Sequence, residues 1–419
     1  MSSDSERPGI VHRSDCRVCG RTELERILSL GPSPLANAFL ESAGDFAGEA
    51  FFPLDLYFCS GCSLLQLLDV VNPEVMFRRY LYVTGTSTTV AEHNQRYADT
   101  LCDLLDLAAT DLVVDIASNN GSFLQCFRAR GVRTLGIEPA VNLAARASAA
   151  GIETVNDFFS GALAETLRSL RPAARLVAAN NVLAHVDDPR DFLAGCRRLV
   201  ADDGLVTIEV PYVRDLLDRV EYDTIYHEHL SYFSVTSLLR LCERAGLAAV
   251  RVDRVHVHGG SLRMYLSRSA VSHAPEVRDL ESEERDAGVA AGERYRQFAR
   301  DVERHRTDLR ALLSQLSGNG SRVVGYGAPA KGNTLLNYCG IDSTLLPYTV
   351  DKNPLKVGLF TPGTHIPVRD VSALSDQNLL PEYVLILAWN FAEEIMAQQA
   401  AHRARGGKFI IPIPEPQVV

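Results

Sequence analysis

The sequence lacks any apolar run long enough to cross a membrane, and it opens without the pattern of a secretory signal. Its longest apolar run, Tyr383 to Trp389, falls far short of the roughly 20 residues that a transmembrane helix needs. The opening residues, MSSDSERPGI, contain no apolar stretch after a basic one. We therefore expect no membrane partner and a cytoplasmic location.

Long blocks of Lys and Arg are also missing. The formal net charge is −10 and the pI is about 5.6, so the basic footprint of a nucleic-acid binder is absent. Because the cytosol keeps thiols reduced, the nine cysteines are predicted to be thiols or metal ligands and not disulfides. A chain of 419 residues exceeds what one hydrophobic core usually supports, so two or three domains are expected.

Four of the cysteines form two CxxC pairs, Cys16 with Cys19 and Cys59 with Cys62. Four thiolates in two knuckles suit tetrahedral Zn²⁺, and a closed shell of four sulfurs makes the metal structural. The alternatives are two redox pairs or simply buried cysteines. The other cysteines lie alone in apolar surroundings and are predicted to be small core residues: Cys102, Cys126, Cys196, Cys242 and Cys339.

The middle of the chain alternates strands and helices. Leu112 to Ala117 is predicted to be a buried parallel strand that a small polar turn, Ser118 to Ser122, connects to a helix. A second strand, Arg133 to Ile137, ends at Glu138, where a carboxylate can accept hydrogen bonds from ribose hydroxyls. Asp157 and the two residues after it then offer an acid and an aromatic ring for an adenine. We expect a doubly wound sheet with its ligand at the carboxyl ends of the strands.

The first turn lacks the full GxGxxG pattern of dinucleotide enzymes, so a compact cofactor without phosphates fits better. S-adenosylmethionine is such a cofactor. Capping or solvation of the sheet edge is the alternative for each single residue, but their order along the chain favours a cofactor site. The predicted cofactor-binding residues are Asp115, Ala117, Asn119, Asn120, Gly121, Glu138, Pro139, Asp157, Phe158, Phe159, Asn180 and Asn181.

A dense group of acid–base side chains, Tyr226 to His229, follows the predicted sheet. Methylation of a carbon next to a ketone requires removal of a C–H proton and stabilisation of an enolate. We predict His229 as the base, with Glu228 on a sugar hydroxyl and Tyr226 near the enolate oxygen. In an extended segment His229 and His227 would share one face, opposite Tyr226 and Glu228. A polar cap on the next helix is the alternative for this group.

The last part of the chain predicts long helices over Glu281 to Leu316 and then a second strand, Gly-rich turn and helix from Arg322 to Gly332. Gly327 would let a backbone approach a ligand, and Lys331 would meet a diphosphate as a point charge. The alternative is a packing domain with a solvated lysine, since a lone Gly-rich turn is weak evidence.

Several motifs occur in one order along nearly the whole chain and together resemble the sugar C-methyltransferases of antibiotic deoxysugar pathways. These enzymes methylate thymidine-diphosphate-linked 4-keto-6-deoxyhexoses at carbon 3 or carbon 5. The motifs are the two CxxC pairs, Tyr80-Leu81-Tyr82, Gly85-Thr86-Ser87, Asp115 to Asn119 with Gly121, Asn181 to His185, Tyr226 to His229, His258 to Arg263, and Gly325 to Ala328 with Lys331.

The resemblance implies roles for particular residues. It implies His229 as the base and a sugar lined by Tyr80, His185, Tyr226 and Glu228. The residues predicted on this basis and on the last domain's pattern to bind substrate are Tyr82, Thr86, Ser261, Arg263, Tyr326, Gly327, Lys331 and Asn390. Two departures stand out: Asn120 replaces a common Asp, and the stretch from Tyr80 to Ser87 differs from the serine-rich version with histidine, which leaves the methylated carbon open.

The predicted fold class is α/β with four parts. They are a zinc-binding domain (1–75), a Rossmann-like S-adenosylmethionine domain (76–270), a helical connector (271–318) and a Rossmann-like nucleotide-sugar domain (319–419). The partner is expected to be a small-molecule nucleotide-sugar, and the protein a monomer or weak homodimer. The alternatives are a nicotinamide-dependent sugar oxidoreductase or epimerase, a methyltransferase for another natural product, and a zinc-ribbon adaptor without activity.

Overall fold

The computed structural model describes residues 9–80, 88–255, 259–376 and 380–419. Within these ranges the chain is α/β and forms four sheets. Tyr82, Thr86 and His258 lie outside the described residues. None of the described helices is both long and apolar enough to cross a membrane.

The amino-terminal region, residues 9–80, is a small antiparallel structure. Its elements are β1 (Ile10–His12), β2 (Glu25–Ser33), β3 (Phe52–Cys59), β4 (Leu64–Leu67), β5 (Asp69–Val71) and α1 (Pro73–Phe77). Strands β2, β3 and β4 are neighbours in one sheet, and β1 pairs with β5. Leu54, Leu56 and Phe58 are buried at every second position of β3, as a strand with one covered face requires.

The central region, residues 88–267, is built around a sheet of seven strands. Its elements are α2 (Thr88–Leu105), β6 (Leu112–Ile116), α3 (Ser122–Ala129), β7 (Arg133–Ile137), α4 (Val141–Ala149), β8 (Thr154–Val155), α5 (Gly161–Leu170), β9 (Ala174–Asn180), α6 (Pro189–Leu199), β10 (Val200–Pro211), α7 (Val213–Asp218), β11 (Ser231–Tyr232), α8 (Val235–Ala245), β12 (Ala248–Val255) and β13 (Ser261–Ser267).

The strand order in this sheet is β12-β13-β10-β9-β6-β7-β8. The strands from β10 to β8 are parallel, and β13 and β12 add antiparallel edges. All five residues of β6 are buried, which is typical of a parallel strand covered on both faces. The predicted doubly wound sheet is confirmed. The short strand β11 leaves this region and pairs with β4 of the amino-terminal sheet.

Two helices, α9 (Pro275–Asp286) and α10 (Gly292–Gly318), lead to the carboxyl-terminal region, residues 322–419. Its sheet has the order β16-β15-β14-β17-β18-β19, parallel except for the last strand. Its elements are β14 (Val323–Tyr326), α11 (Ala330–Cys339), β15 (Thr349–Asp351), β16 (Val368–Asp370), β17 (Tyr383–Ile386), α12 (Ala392–Gln398), α13 (Ala400–Ala404), β18 (Lys408–Ile411) and β19 (Gln417–Val418).

The amino-terminal region packs against both other parts. Phe58 of β3 stacks on Tyr295 of α10, with 4.2 Å between ring centroids. The amide Nδ2 of Asn333, in α11, donates to the carbonyl of Ala36 at 2.8 Å. Glu49 accepts the backbone N–H of Gly363 at 2.8 Å. These contacts bring the loop after β2 to the place where all three regions meet.

Candidate active site

The two CxxC pairs converge on one point. The four Sγ atoms of Cys16, Cys19, Cys59 and Cys62 all lie within 4.8 Å of one another. The closest pairs are 3.5 Å (Cys16 to Cys62) and 3.4 Å (Cys19 to Cys59) apart. Zn–S bonds of about 2.3 Å in a tetrahedron separate sulfurs by about 3.8 Å, so the four residues fit a structural zinc ion.

Arg17 links this cysteine site to the rest of the molecule. It lies inside the first CxxC pair, and its side chain is completely buried. Its guanidinium donates to the Leu67 carbonyl, and its Nε donates to Asp187 at 3.2 Å. Leu67 in turn donates its N–H to the carbonyl of Leu230, directly after His229, at 3.0 Å. The four-cysteine site therefore supports, through Arg17 and Leu67, the segment that carries the predicted base His229.

The predicted cofactor residues gather at the carboxyl edge of the central sheet. Ala117, Asn119 and Asn181 have positive φ angles of 58°, 53° and 54°, which is uncommon for residues other than glycine. Gly121, at φ 76°, begins α3, and a Cβ there would lie 3.0 Å from Ile152. The chain turns tightly where a ligand would approach β6 and β9.

Glu138 lies directly after β7, at the same carboxyl edge of the central sheet. Its carboxylate accepts the N–H of Asn119 and the N–H of Ala140, both at 2.8 Å. Burial raises the pKa of Glu138, and these two hydrogen bonds oppose that effect. Burial and then the neighbouring Glu138 raise the pKa of Asp115 well above its usual range. Each oxygen of Glu138 keeps a lone pair that suits a ribose hydroxyl.

The remaining predicted cofactor residues differ in their burial and in the groups they contact. Asp157 is exposed and binds its own turn, and Phe158 lies under the guanidinium of Arg78 at 4.8 Å. Phe159 packs on Phe192 of α6, with centroids 5.1 Å apart, and its side chain is partly buried. Asn180 ends β9, and the predicted Pro139 and Asn120 lie in the two turns beside Glu138.

The segment from Tyr226 to His229 is a tight turn. The N–H of His229 donates to the carbonyl of Tyr226 at 2.8 Å. The turn brings the Tyr226 hydroxyl to 3.0 Å from Nε2 of His229, whereas an extended chain would put these side chains on opposite faces. The extended geometry considered from the sequence is therefore wrong here. His227 points away, with its Nε2 3.1 Å from the Pro53 carbonyl.

The orientation of the His229 ring follows from a second hydrogen bond. Its Nδ1 lies 2.8 Å from the carbonyl oxygen of Thr224. A carbonyl only accepts, so Nδ1 carries the proton and Nε2 presents its lone pair. The Tyr226 hydroxyl consequently donates to Nε2. These roles hold for the neutral imidazole, which is then fixed in one tautomer and can take a proton at Nε2.

Glu228 is buried where the three regions meet. Its Oε2 accepts the hydroxyl of Tyr80 at 2.7 Å, and its Oε1 accepts the amide of Asn37 at 2.6 Å. Burial raises the pKa of this carboxyl, while Tyr80, Asn37 and the charge of Lys356 act in the opposite direction. Lys356 itself donates to the carbonyl of Ala328, in the second Gly-rich turn, at 2.7 Å.

His185 completes the group. Its ring centroid lies 4.8 Å from that of His229, with the rings nearly perpendicular. Burial, and then the neighbouring His229, lower the pKa of His185 well below its usual value, so this imidazole is neutral near pH 7. Among the described residues no hydrogen-bond partner is found for its Nδ1. The structure thus brings all five predicted catalytic residues together.

The predicted substrate residues do not gather in this way. Arg263 forms a buried ion pair with Glu209 at 2.6 Å and lies over the ring of Tyr97, so its charge is already neutralised inside the central sheet. Ser261 is buried at the start of β13. The ring of Tyr326 lies in the core of the carboxyl-terminal sheet and is unsuited to meet a substrate.

Lys331 lies at the carboxyl edge of the second sheet, and among the described residues no hydrogen-bond partner is found for its Nζ. Its Nζ lies 4.1 Å from the centroid of the Trp389 ring, and the charges that act on it are those of Asp223 and Glu221. Burial lowers the pKa of Lys331, and the charges of Asp223 and Glu221 oppose that effect. Gly327, with φ 90°, does allow a close backbone approach, and Asn390 follows Trp389 in a partly exposed 3₁₀ turn.

Several residues at this site were not predicted. Thr224 acts through its backbone carbonyl, which every residue possesses, so no sequence signal marks it. Asn37 lies in a loop of small and apolar residues without a motif. Lys356 is a lone cation shortly after Asp351, the acid at the end of a strand. Of these three residues, it is the one that the sequence could have marked as a site residue.

The comparisons with known proteins agree with this geometry. Residues 16–77 match a family of zinc-binding domains, residues 90–252 a family of methyltransferase domains, and residues 256–414 the C-methyltransferase C-terminal domain family. C-methyltransferase NovU from Streptomyces niveus is 39% identical over 407 residues, which cover 97% of this chain and 96% of the relative. The chain belongs to the C-methyltransferase family. It is an S-adenosylmethionine-dependent C-methyltransferase with a structural zinc site.

Solved structures also resemble this C-methyltransferase, at lower similarity. Geranyl diphosphate C-methyltransferase from Streptomyces coelicolor is 13% identical, covers 43% of this chain and 80% of its own, and has a TM-score of 0.35. Magnesium protoporphyrin IX methyltransferase from Synechocystis, with bound S-adenosylmethionine, is 14% identical, covers 46% and 89%, and has a TM-score of 0.33. The family assignment selects the methyltransferase hypothesis over the oxidoreductase and the adaptor.

Substitution of Cys59 by Ser should reduce the bound zinc from one ion per chain and lower the thermal stability, because a structural zinc supplies folding free energy. Elemental analysis and thermal unfolding measure both effects. Cys126→Ser, a thiol outside the cluster, is the matched control and should keep its zinc. Full zinc content in Cys59→Ser would contradict the four-cysteine assignment.

Substitution of Glu138 by Gln should weaken S-adenosylmethionine binding by about 10- to 100-fold, the worth of hydrogen bonds to a charged group. Because burial raises the pKa of Glu138, donor affinity should fall with decreasing pH before an ordinary glutamate would be protonated. Titration calorimetry measures both. Glu153→Gln, an exposed acid beside β8, is the control, and equal affinities in the two variants would remove Glu138 from the donor site.

Proposed function

We propose that this C-methyltransferase methylates a carbon next to the ketone of a nucleotide-linked 4-keto-6-deoxysugar, with thymidine diphosphate as the nucleotide. Carbon 3 and carbon 5 both lie next to that ketone. The observation that carries the proposal is the His229 ring, whose Nδ1 is fixed on the Thr224 carbonyl and whose Nε2 lies beside a tyrosine hydroxyl, next to a buried carboxylate. This set supplies a base, a donor for an enolate oxygen and a partner for a sugar hydroxyl.

The reaction assigned to these residues begins with the C–H bond next to the ketone. Nε2 of His229 takes the proton, the electron pair of that bond forms the carbon–carbon double bond of the enolate, and the π pair of the C=O bond moves onto the ketone oxygen. The Tyr226 hydroxyl turns from Nε2 to donate to this oxygen, which stabilises its negative charge. Glu228 accepts a hydrogen bond from a sugar hydroxyl and so fixes the ring against the base.

The donor site lies beside this group. Glu138, the turn from Asp115 to Gly121, and Asn181 are the residues proposed to hold S-adenosylmethionine, which supplies an electrophilic methyl group. The backbone of Tyr80 connects the two sites, because the Asn142 amide at the start of α4 both donates to its carbonyl (2.9 Å) and accepts its N–H (3.2 Å). The same tyrosine binds Glu228 through its hydroxyl.

We further propose that the four parts predicted from the sequence, 1–75, 76–270, 271–318 and 319–419, act together on the nucleotide-sugar. The support is that Asn37, Glu228 and Lys356 come from the first, second and fourth parts and meet at one place. The charge of Lys356 acts on the Glu228 carboxyl and lowers its pKa. Gly327 and Asn390 line the carboxyl edge of the second sheet.

Incubation with S-adenosylmethionine carrying a ¹³C-methyl group and a panel of nucleotide-linked sugars should give a labelled methyl on carbon next to a ketone. Proton and carbon NMR of the product identify that carbon. A matched sugar reduced to the 4-hydroxyl should accept no methyl, because its C–H protons are not acidified. Label on an oxygen, or turnover of the reduced sugar, would refute the proposed substrate class.

Substitution of His229 by Asn should lower kcat by about 10²- to 10⁴-fold, the contribution of a general base, with donor affinity unchanged. The separate proton-transfer step is measured in D₂O with S-adenosylhomocysteine in place of the donor. The wild type should exchange the substrate C–H for deuterium, and His229→Asn should not. His12→Asn, a surface histidine paired with Asp69, is the control. Exchange at the normal rate in His229→Asn would transfer the base role elsewhere.

A further inference from the structure

A short 3₁₀ turn of the central region, Tyr222–Thr224, lies against the ligand edge of the carboxyl-terminal sheet. In that sheet β14 has β15 on one side and β17 on the other, so the chain reverses its order there. Ligands of open α/β sheets bind in the crevice outside the strand ends at such a point. Gly327 follows β14, and Trp389 follows β17 after two residues, so these residues border the crevice.

Asp223 of the turn reaches into this edge. The indole Nε1–H of Trp389 donates to Oδ2 of Asp223 at 2.6 Å, and Asp223 is completely buried. Lys331, in the first turn of α11, holds its ammonium 4.1 Å from the Trp389 ring centroid. Burial raises the pKa of Asp223, and the charge of Lys331 opposes this. The carboxylate of the chain itself thus occupies the kind of site where such a fold binds an anion.

Tyr222 provides a second anchor for the same turn. Nε2 of His305, on α10, lies 2.6 Å from the Pro412 carbonyl and must donate to it. Nδ1 of His305 is then the acceptor for the Tyr222 hydroxyl, at 3.0 Å. The Tyr222 hydroxyl also lies 3.2 Å from Sγ of Cys339, in α11. The anchor therefore joins α10 and α11 to the turn.

Thr224 ends the turn and presents its carbonyl to Nδ1 of His229 at 2.8 Å. The turn is closed by two backbone hydrogen bonds, from the N–H of Thr224 to the Glu221 carbonyl at 3.1 Å and from the N–H of Ile225 to the Tyr222 carbonyl at 3.0 Å. Fixing Tyr222 and Asp223 therefore fixes the direction of the Thr224 carbonyl. That carbonyl decides which nitrogen of His229 carries its proton.

We propose that the carboxyl-terminal fold binds Asp223 of its own chain in its ligand crevice, and that Trp389 and Asp223 are positioning residues for His229. The inference rests on the proposed role of His229 as the base. In this proposal the ligand of the carboxyl-terminal Rossmann-like fold at this edge is the Asp223 carboxylate, which belongs to the same chain.

Trp389 is the only tryptophan in the chain, so its indole N–H gives a single NMR signal. In the complete protein with its zinc, this signal should be protected from solvent exchange and should shift strongly in Asp223→Asn. The ring nitrogens of His229 should show one tautomer in the wild type and a mixture in Trp389→Phe. Neither measurement needs a sugar, so a wrong substrate class would leave both results standing.

The kinetic effect is measured in Trp389→Phe, which keeps the ring under Lys331 but removes the N–H donor. We expect kcat to fall by about 10- to 100-fold, as misplacement of a catalytic group does, with the donor Kd unchanged. Glu393→Gln, an exposed acid four residues on, is the matched control and should keep its activity. Asp223→Asn, which preserves the shape of the side chain, serves as the second variant if Trp389→Phe unfolds.

Two results would overturn the proposal. A Trp389 indole N–H that exchanges freely, or that ignores Asp223→Asn, would mean that the crevice does not hold the carboxylate. An unchanged His229 tautomer and unchanged kcat in a folded Trp389→Phe would mean that the contact exists but positions nothing. A lower kcat together with a mixture of His229 tautomers in Trp389→Phe supports the proposal.

Discussion

The hydrogen bond from Nδ1 of His229 to the Thr224 carbonyl is the contact on which the site depends. In the proposed mechanism it leaves the Nε2 lone pair directed at Tyr226, and the partner of Nδ1 is a backbone carbonyl. A carbonyl cannot take the proton, whereas a carboxylate partner would raise the basicity of the ring. The carbonyl oxygen of Thr224 must therefore be placed accurately. This requires that the chain be held both before and after His229.

The two ends are held by different regions. Leu230, after the histidine, donates its N–H to the Ala184 carbonyl at 2.8 Å and accepts that of Leu67 at 3.0 Å. The first contact ties it to the segment of His185, and the second ties it to the zinc-stapled sheet. Asp223, before the histidine, is held by the carboxyl-terminal fold. A small amino-terminal domain with few core residues can serve this purpose only if metal ligation makes it rigid.

The sequence predicted the helices, strands and zinc site well, but it predicted poorly which side chains contact one another. Continuous apolar runs such as Leu112 to Ile116 and two CxxC pairs have one stable arrangement each, so the sheet and the zinc site could be predicted. The role of Arg263 could not, because its charge is satisfied by Glu209 on a neighbouring strand, and a pattern along the chain does not show which acid is the neighbour. Thr224 and the turn at Tyr226 were missed since backbone carbonyls and tight turns carry no side-chain signature.

The two Rossmann-like sheets show how far a local pattern determines function. In both, the acid at the end of the second strand accepts a backbone N–H from the first turn: Glu138 from Asn119 at 2.8 Å, and Asp351 from Ala328 at 2.7 Å. At the first edge we propose that this acid also binds the ribose of the methyl donor. Beside the second edge the chain inserts Asp223, which Trp389 binds. The same strand, turn and acid can thus bind a cofactor or hold a neighbouring turn, and the rest of the chain decides which.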